Sequence, residues 1–78
     1  MWYVYILLCS DGEMYAGCTS NLNNRIDRHQ KGYIDSTKGR GPVKLIWHCV
    51  FEKQEKAYAF EKYLKSGSGR AFRNKHLI

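Results

Sequence analysis

Three sets of residues in this 78-residue chain have types and spacings that could do chemistry: Glu61, the pair Arg25 and His29, and the tyrosines at 5 and 15. Ala57, Phe60, Glu61 and Leu64 fall on one helical stripe at i, i+3, i+4 and i+7, so Glu61 faces the core side of its helix. A carboxylate there is costly unless it is paired, hydrogen-bonded or holding a cation. A semi-buried ion pair with an arginine meets that cost, and so does a metal ion at the floor of a site; the residue pattern leaves both open. Arg25 and His29 stand one helical turn apart and border an apolar stripe. Alone they read as a surface arginine and a core-edge histidine. Beside a carboxylate and a phosphate the arginine acquires a role, because its planar fork binds phosphate oxygens in pairs.

Whether the two tyrosines can share a site depends on a hairpin register. Residues 2–9 (WYVYILLC) and 13–18 read as two strands around the turn signal Ser10-Asp11-Gly12. A two-residue Asp11-Gly12 turn pairs Tyr5 with Cys18 and sends the phenols to opposite faces. A three-residue loop with Gly12 left-handed in a bulge pairs Tyr5 with Gly17 and Leu7 with Tyr15. The phenols then share a face as diagonal neighbours about 7–8 Å apart at the backbone. We adopt the second register, in which Gly17 leaves room beside the rings.

The remaining elements follow from periodicity and punctuation. Thr19 or Ser20 can cap a first helix with Leu22, Ile26 and, just past its end, Tyr33 at helical spacing, and Gly32 sits where a C-terminal glycine belongs. Residues 34–42 (IDSTKGRGP) form a mobile, positively charged loop. Residues 43–51 alternate, with Val43, Leu45, Trp47, Cys49 and Phe51 on one strongly apolar face. A second helix runs over about 54–65, the linker Ser66-Gly67-Ser68-Gly69 stops it, and a short basic helix begins at about Arg70. The length allows one domain over residues 1–78.

Thirteen basic against seven acidic residues give a net charge of +6, and the excess is clustered. Lys62, Lys65, Arg70, Arg73 and Lys75 form an acid-free tail, and Lys38, Arg40 and Lys44 a second acid-free group. Both suit a polyanion, with solvated surface lysines as the plainer alternative. Cys9, Cys18 and Cys49 are an odd set without C-x-x-C spacing, so neither a disulfide framework nor a zinc knuckle is indicated and a cytoplasmic protein is expected. The apolar run Trp2–Leu8 lacks a basic flank and is far shorter than the roughly 20 residues of a membrane span, so it is neither signal nor anchor and no membrane partner is expected.

Taken together, Tyr3-Val4-Tyr5, Tyr15-Ala16-Gly17, Asn21-Leu22-Asn23-Asn24-Arg25 with His29, and then Glu61 resemble the GIY-YIG nuclease superfamily over nearly the whole chain. The small single-domain members, similar to the nuclease module of the bacterial excision-repair incision subunit, are the nearest in appearance. The resemblance implies an α+β fold, with a small, mainly antiparallel three-stranded sheet flanked by helices. It also implies hydrolysis of DNA phosphodiester bonds, in repair or recombination, with one Mg2+ or Mn2+ ion.

Carried over position by position, it implies Tyr5, Tyr15, Arg25 and His29 as catalytic residues and Glu61 as the metal ligand. Tyr3 stands where the first motif usually has glycine, and Ala16 where the second often has a larger aliphatic. Neither change removes a reacting group. The late asparagine of many members has Asn74 as its only nearby candidate. Lys38, Arg40, Lys44, Arg70 and Arg73 are expected to contact the DNA backbone, and a protein partner could supply specificity. Two rival readings are a non-catalytic nucleic-acid-binding module that works with a partner protein, and an interaction domain for an acidic protein.

Overall fold

A computed structural model describes residues 1–34 and 37–77. Three strands, β1 (Trp2–Leu8), β2 (Met14–Thr19) and β3 (Lys44–Phe51), form an antiparallel sheet in the order β2-β1-β3. Three helices, α1 (Leu22–Gln30), α2 (Gln54–Leu64) and α3 (Gly67–His76), complete the α+β fold. Among the described residues no helix is long and apolar enough to cross a membrane.

The central strand explains the layering. Val4, Tyr5, Ile6 and Leu7 are consecutive and each has no exposed surface, which requires cover on both faces of the sheet. On one face Tyr5, Leu7, Cys9 and Val43 pack with Tyr15, Leu45 and the α1 residues Leu22 and Ile26. On the other, Val4, Ile6 and Ala16 pack against Ala57 and Leu64 of α2, with Trp47, Phe51 and Phe60 around them.

The hairpin adopts the three-residue loop. Gly12 has φ +85°, its N–H bonds the Cys9 carbonyl at 3.0 Å, and the Cys9 N–H bonds the Glu13 carbonyl at 2.9 Å. Tyr5 pairs with Gly17 and Leu7 with Tyr15.

Three local expectations are corrected. Asn21, not Thr19 or Ser20, caps α1: its side-chain oxygen accepts the Asn24 N–H at 3.1 Å, while Thr19 is buried and bonds the Asn21 backbone. The strict alternation of residues 43–51 is broken, because Ile6 pairs with Trp47 and Leu7 with Leu45, leaving Ile46 as an extra residue. Val43 and Leu45 therefore join the α1 face, while Ile46, Trp47, Cys49 and Phe51 serve the α2 face. Finally, Ser66-Gly67-Ser68-Gly69 is no linker but the start of α3. Ser66 caps it through the Gly69 N–H at 3.1 Å, and a Cβ at Gly69 would lie 1.7 Å from the Tyr63 carbonyl oxygen, so glycine permits the close approach of α3 to the end of α2.

The basic loop is tied down where it is described. Asp35 and Ser36 lie outside the described residues. Arg40 bonds Asp11 at 2.8 Å, its carbonyl accepts both the N–H and hydroxyl of Ser10, and the Gln30 amide brackets the backbone of Val43.

Candidate active site

The site grows from one cross-strand pair. Tyr5 on β1 lies opposite Gly17 on β2, and its ring crosses the glycine: a Cβ at position 17 would sit 2.3 Å from the Tyr5 hydroxyl and 2.4 Å from its ring carbon. No other residue would let the phenol pass over β2 toward the sheet edge. Tyr15, two residues earlier on the same face, places its ring 6.4 Å from that of Tyr5.

Helix α1 lays His29 across both rings, 5.7 Å from Tyr5 and 5.2 Å from Tyr15. His29 is 1% exposed, with Nε2 2.8 Å from the Tyr5 hydroxyl and Nδ1 2.6 Å from Thr37 Oγ1. Burial, reinforced by the Arg25 charge, pushes the His29 pKa down to about 4, so the ring is neutral at physiological pH. Arg25, one turn earlier on α1, is within hydrogen-bonding reach of the Tyr5 hydroxyl. The tautomer with the proton on Nδ1 lets the Tyr5 O–H donate to Nε2 and Nδ1–H donate to Thr37, and it leaves the Tyr5 oxygen to accept from Arg25, which can only donate.

Burial is the main cause that pushes the Tyr5 phenol up, with Tyr15 and Glu61 adding to it, and the opposing effect of Arg25 is smaller. A lowered phenol, which a base at this position needs, is therefore not what the surroundings of Tyr5 produce.

Glu61 comes from the opposite face. It lies one turn from Ala57 and Leu64 on α2, with its side chain 20% exposed and Oε2 2.9 Å from Lys65 Nζ. This ion pair is with Lys65, four residues on, and not with an arginine. Glu61 and Arg25 act together on two groups, Glu61 raising and Arg25 lowering both Tyr5 and Cys18, with burial the larger cause in each. The Lys65 ammonium also lies 5.3 Å from the centre of the Tyr15 ring. The two faces of the sheet thus meet at β2, an edge strand.

Among the described residues no three His, Cys, Asp or Glu side chains converge on one point. Glu61 offers one hard oxygen donor, a set that suits Mg2+ or Mn2+ completed by water and phosphate oxygens, and its lysine partner is a surface side chain that can yield.

The five basic residues divide. Arg70 and Arg73 on α3 line a cleft with Tyr15 and Lys65. Arg40 is held by Asp11 at the hairpin turn, while Lys38 and Lys44 are exposed outside that cleft, and Asn74 is exposed on α3. Sequence reasoning missed two residues of the site. Lys65 was accessible to it, lying at i+4 from Glu61. Thr37 was not, because it sits in a segment without periodicity.

Comparison with known proteins decides the family. The GIY-YIG catalytic domain profile matches residues 1–75. The chain belongs to the GIY-YIG family. It is 47% identical to a UPF0213 protein of Clostridium perfringens over 83% of this chain and 71% of that one, and 43% identical to a UPF0213 protein of Pediococcus pentosaceus over 82% and 68%. The solution NMR structure of a UPF0213 protein from Bacillus halodurans is 38% identical and matches with a TM-score of 0.60, covering 96% of this chain and 82% of that one.

The register gives the two GIY-YIG motifs a physical meaning. The tyrosine that ends the first motif, Tyr5, lies over the glycine that ends the second, Gly17, so the two are one steric unit. Tyr3, at the motif's usual glycine, pairs with Thr19 and places its ring 6.3 Å from that of His48, outside this unit. Ala16 points to the α2 face, where it packs in the core.

Proposed function

We propose that the protein is a divalent-metal-dependent endonuclease that hydrolyses DNA phosphodiester bonds as a single domain, in the cytoplasm, in repair or recombination. The observation that carries this reading is the buried Tyr5–His29–Thr37 chain beside Arg25, with the Tyr15 ring next to it and the Glu61–Lys65 pair reaching that ring from the other face at the edge of β2. Tyr15 is half-buried beside them.

In this reading Glu61 holds Mg2+ or Mn2+, which when bound supplies charge neutralisation at the phosphate and polarises a water. Arg25 binds the phosphate oxygens and stabilises the charge that develops in the in-line displacement. Tyr5 is fully buried, its oxygen engaged by Arg25 and its proton by His29, so its role is to orient the guanidinium. Tyr15 is the phenol left to orient the attacking water or take its proton. Neutral His29 keeps the Tyr5 hydroxyl pointed, and Thr37 keeps His29 in the tautomer that does so.

The test is incubation with flapped, branched, single-stranded and duplex DNA in Mg2+ or Mn2+ and in chelator, with Arg25→Ala as a folded control. Metal-dependent cleavage by the wild type alone supports the reading. Tight binding without cleavage of any substrate would replace it with a non-catalytic module acting with a partner protein.

A further inference from the structure

Beside Tyr15 the surface opens into a cleft of about 230 Å3, lined by Glu13, Met14, Tyr15 and Ala16 of the β2 edge and by Lys65, Arg70 and Arg73. Its volume is that of roughly seven or eight waters, room for one phosphate group and its hydration. Three cations face one carboxylate there. Lys65 marks its continuity with the reacting centre, since its ammonium is 2.9 Å from Glu61 and 5.3 Å from the centre of the Tyr15 ring. Arg73 is partly buried, and its Nε, shielded from solvent, finds no hydrogen-bond partner among the described residues. A guanidinium so held has committed none of its Nε donor capacity within the protein, and its planar fork suits an oxyanion.

We propose that this cleft binds the phosphate next to the one being cut, on one side only, so that the DNA strand runs along the edge of β2 from Arg25 and Glu61 toward α3. The proposal rests on the nuclease reading for the position of the scissile phosphate. It sets Arg70 and Arg73 apart from Lys38, Arg40 and Lys44: the first two grip a defined phosphate beside the cut, and the others supply at most general attraction. Duplex and single strand both present such a phosphate, so the cleft fixes strand direction and does not read bases.

The test uses oligonucleotides that carry one uncharged methylphosphonate at each successive position around the cut. Binding is read by fluorescence anisotropy in chelator and cleavage in Mg2+, for wild type, Arg70→Gln and Arg73→Gln, with Arg73→Lys retaining the charge if Arg73→Gln fails to fold. One flanking position should weaken wild-type binding about tenfold, the loss expected of a charge-assisted contact. The variants should lose sensitivity at that position alone. KM should rise by more than kcat falls, and the slope of log affinity against log salt should become shallower by about one per arginine.

Equal losses at every position, or variants that keep the wild-type profile, would overturn the proposal. So would an acidic peptide that competes as well as the oligonucleotide. A position-specific effect in chelator without cleavage in metal would leave the cleft standing and remove the nuclease reading. Cleavage without such an effect would do the reverse.

Discussion

Acidification should expose the cost of burying His29. Its pKa is about 4 in the folded protein against the ordinary 6.5, so the folded state binds fewer protons than the unfolded chain between those values. The stabilisation is fully present above about pH 6.5 and is lost as pH falls through about 4. At pH 4 the loss reaches about 3 kcal/mol, from about 1.4 kcal/mol per pKa unit. That is a large part of the stability of a small domain. The assay is urea unfolding followed by circular dichroism at pH 7.5 to 4, for wild type and His29→Asn. The variant should be less stable at pH 7.5 but should lack this slope, and contributions common to both proteins, such as the lowered Asp11 carboxyl, subtract out. Superimposable slopes would refute the reasoning, as would an imidazole seen by NMR to titrate near 6.5. The same neutrality has a kinetic face: cleavage should show no limb near pH 6.5 that belongs to this ring.

Gly17→Ala should abolish cleavage and cost about 1–3 kcal/mol by overpacking, because its Cβ would overlap both the hydroxyl and the ring of Tyr5; Tyr5→Phe, Gly17→Ala should not recover the stability, since the ring carbon would still lie 2.4 Å from that Cβ, and recovery in urea melts would refute the ring clash. Glu61→Gln should remove metal-dependent cleavage yet shift the urea midpoint little, since the pair it breaks with Lys65 is an i,i+4 contact worth about 0.3–0.5 kcal/mol. Thr37→Val should strand Nδ1 of a buried ring at a cost of about 1–3 kcal/mol and alter the 15N signature of the His29 tautomer, while Thr37→Ser restores both.

What was legible in the sequence follows from which forces act locally. The hairpin register could be read because a left-handed glycine and the need to seat two phenols on one face point to the same three-residue loop. The Ile46 bulge could not: every residue from Leu45 to Trp47 is apolar, so the pattern looks the same whether or not the strand slips by one, and only the second face of β1 demands the slip. The start of α3 misled for a different reason. Two glycines argue against a helix on propensity, but the contact between Gly69 and the Tyr63 carbonyl makes glycine necessary there, and Ser66 supplies the cap. The four catalytic candidates and Glu61 all lie on regular elements, where spacing fixes direction. Thr37 is reached only through tertiary contact.

On the nuclease reading the reacting groups are divided between the two faces of a thin sheet, and that division explains why the candidate site sits at an edge. Arg25 and His29 arrive from α1 above the sheet, and Glu61 and Lys65 from α2 below it. A central strand would keep these groups apart, because its backbone is closed by neighbours on both sides. At β2 the sheet has one open side, so Lys65 can reach around it to the Tyr15 ring, and the absence of a side chain at Gly17 lets the Tyr5 phenol come out to meet them. The cost is an exposed strand edge of the kind proteins usually guard with charge. Here Glu13, Lys65, Arg70 and Arg73 stand along that edge, and the same cations that discourage another β-strand suit an extended polyanion.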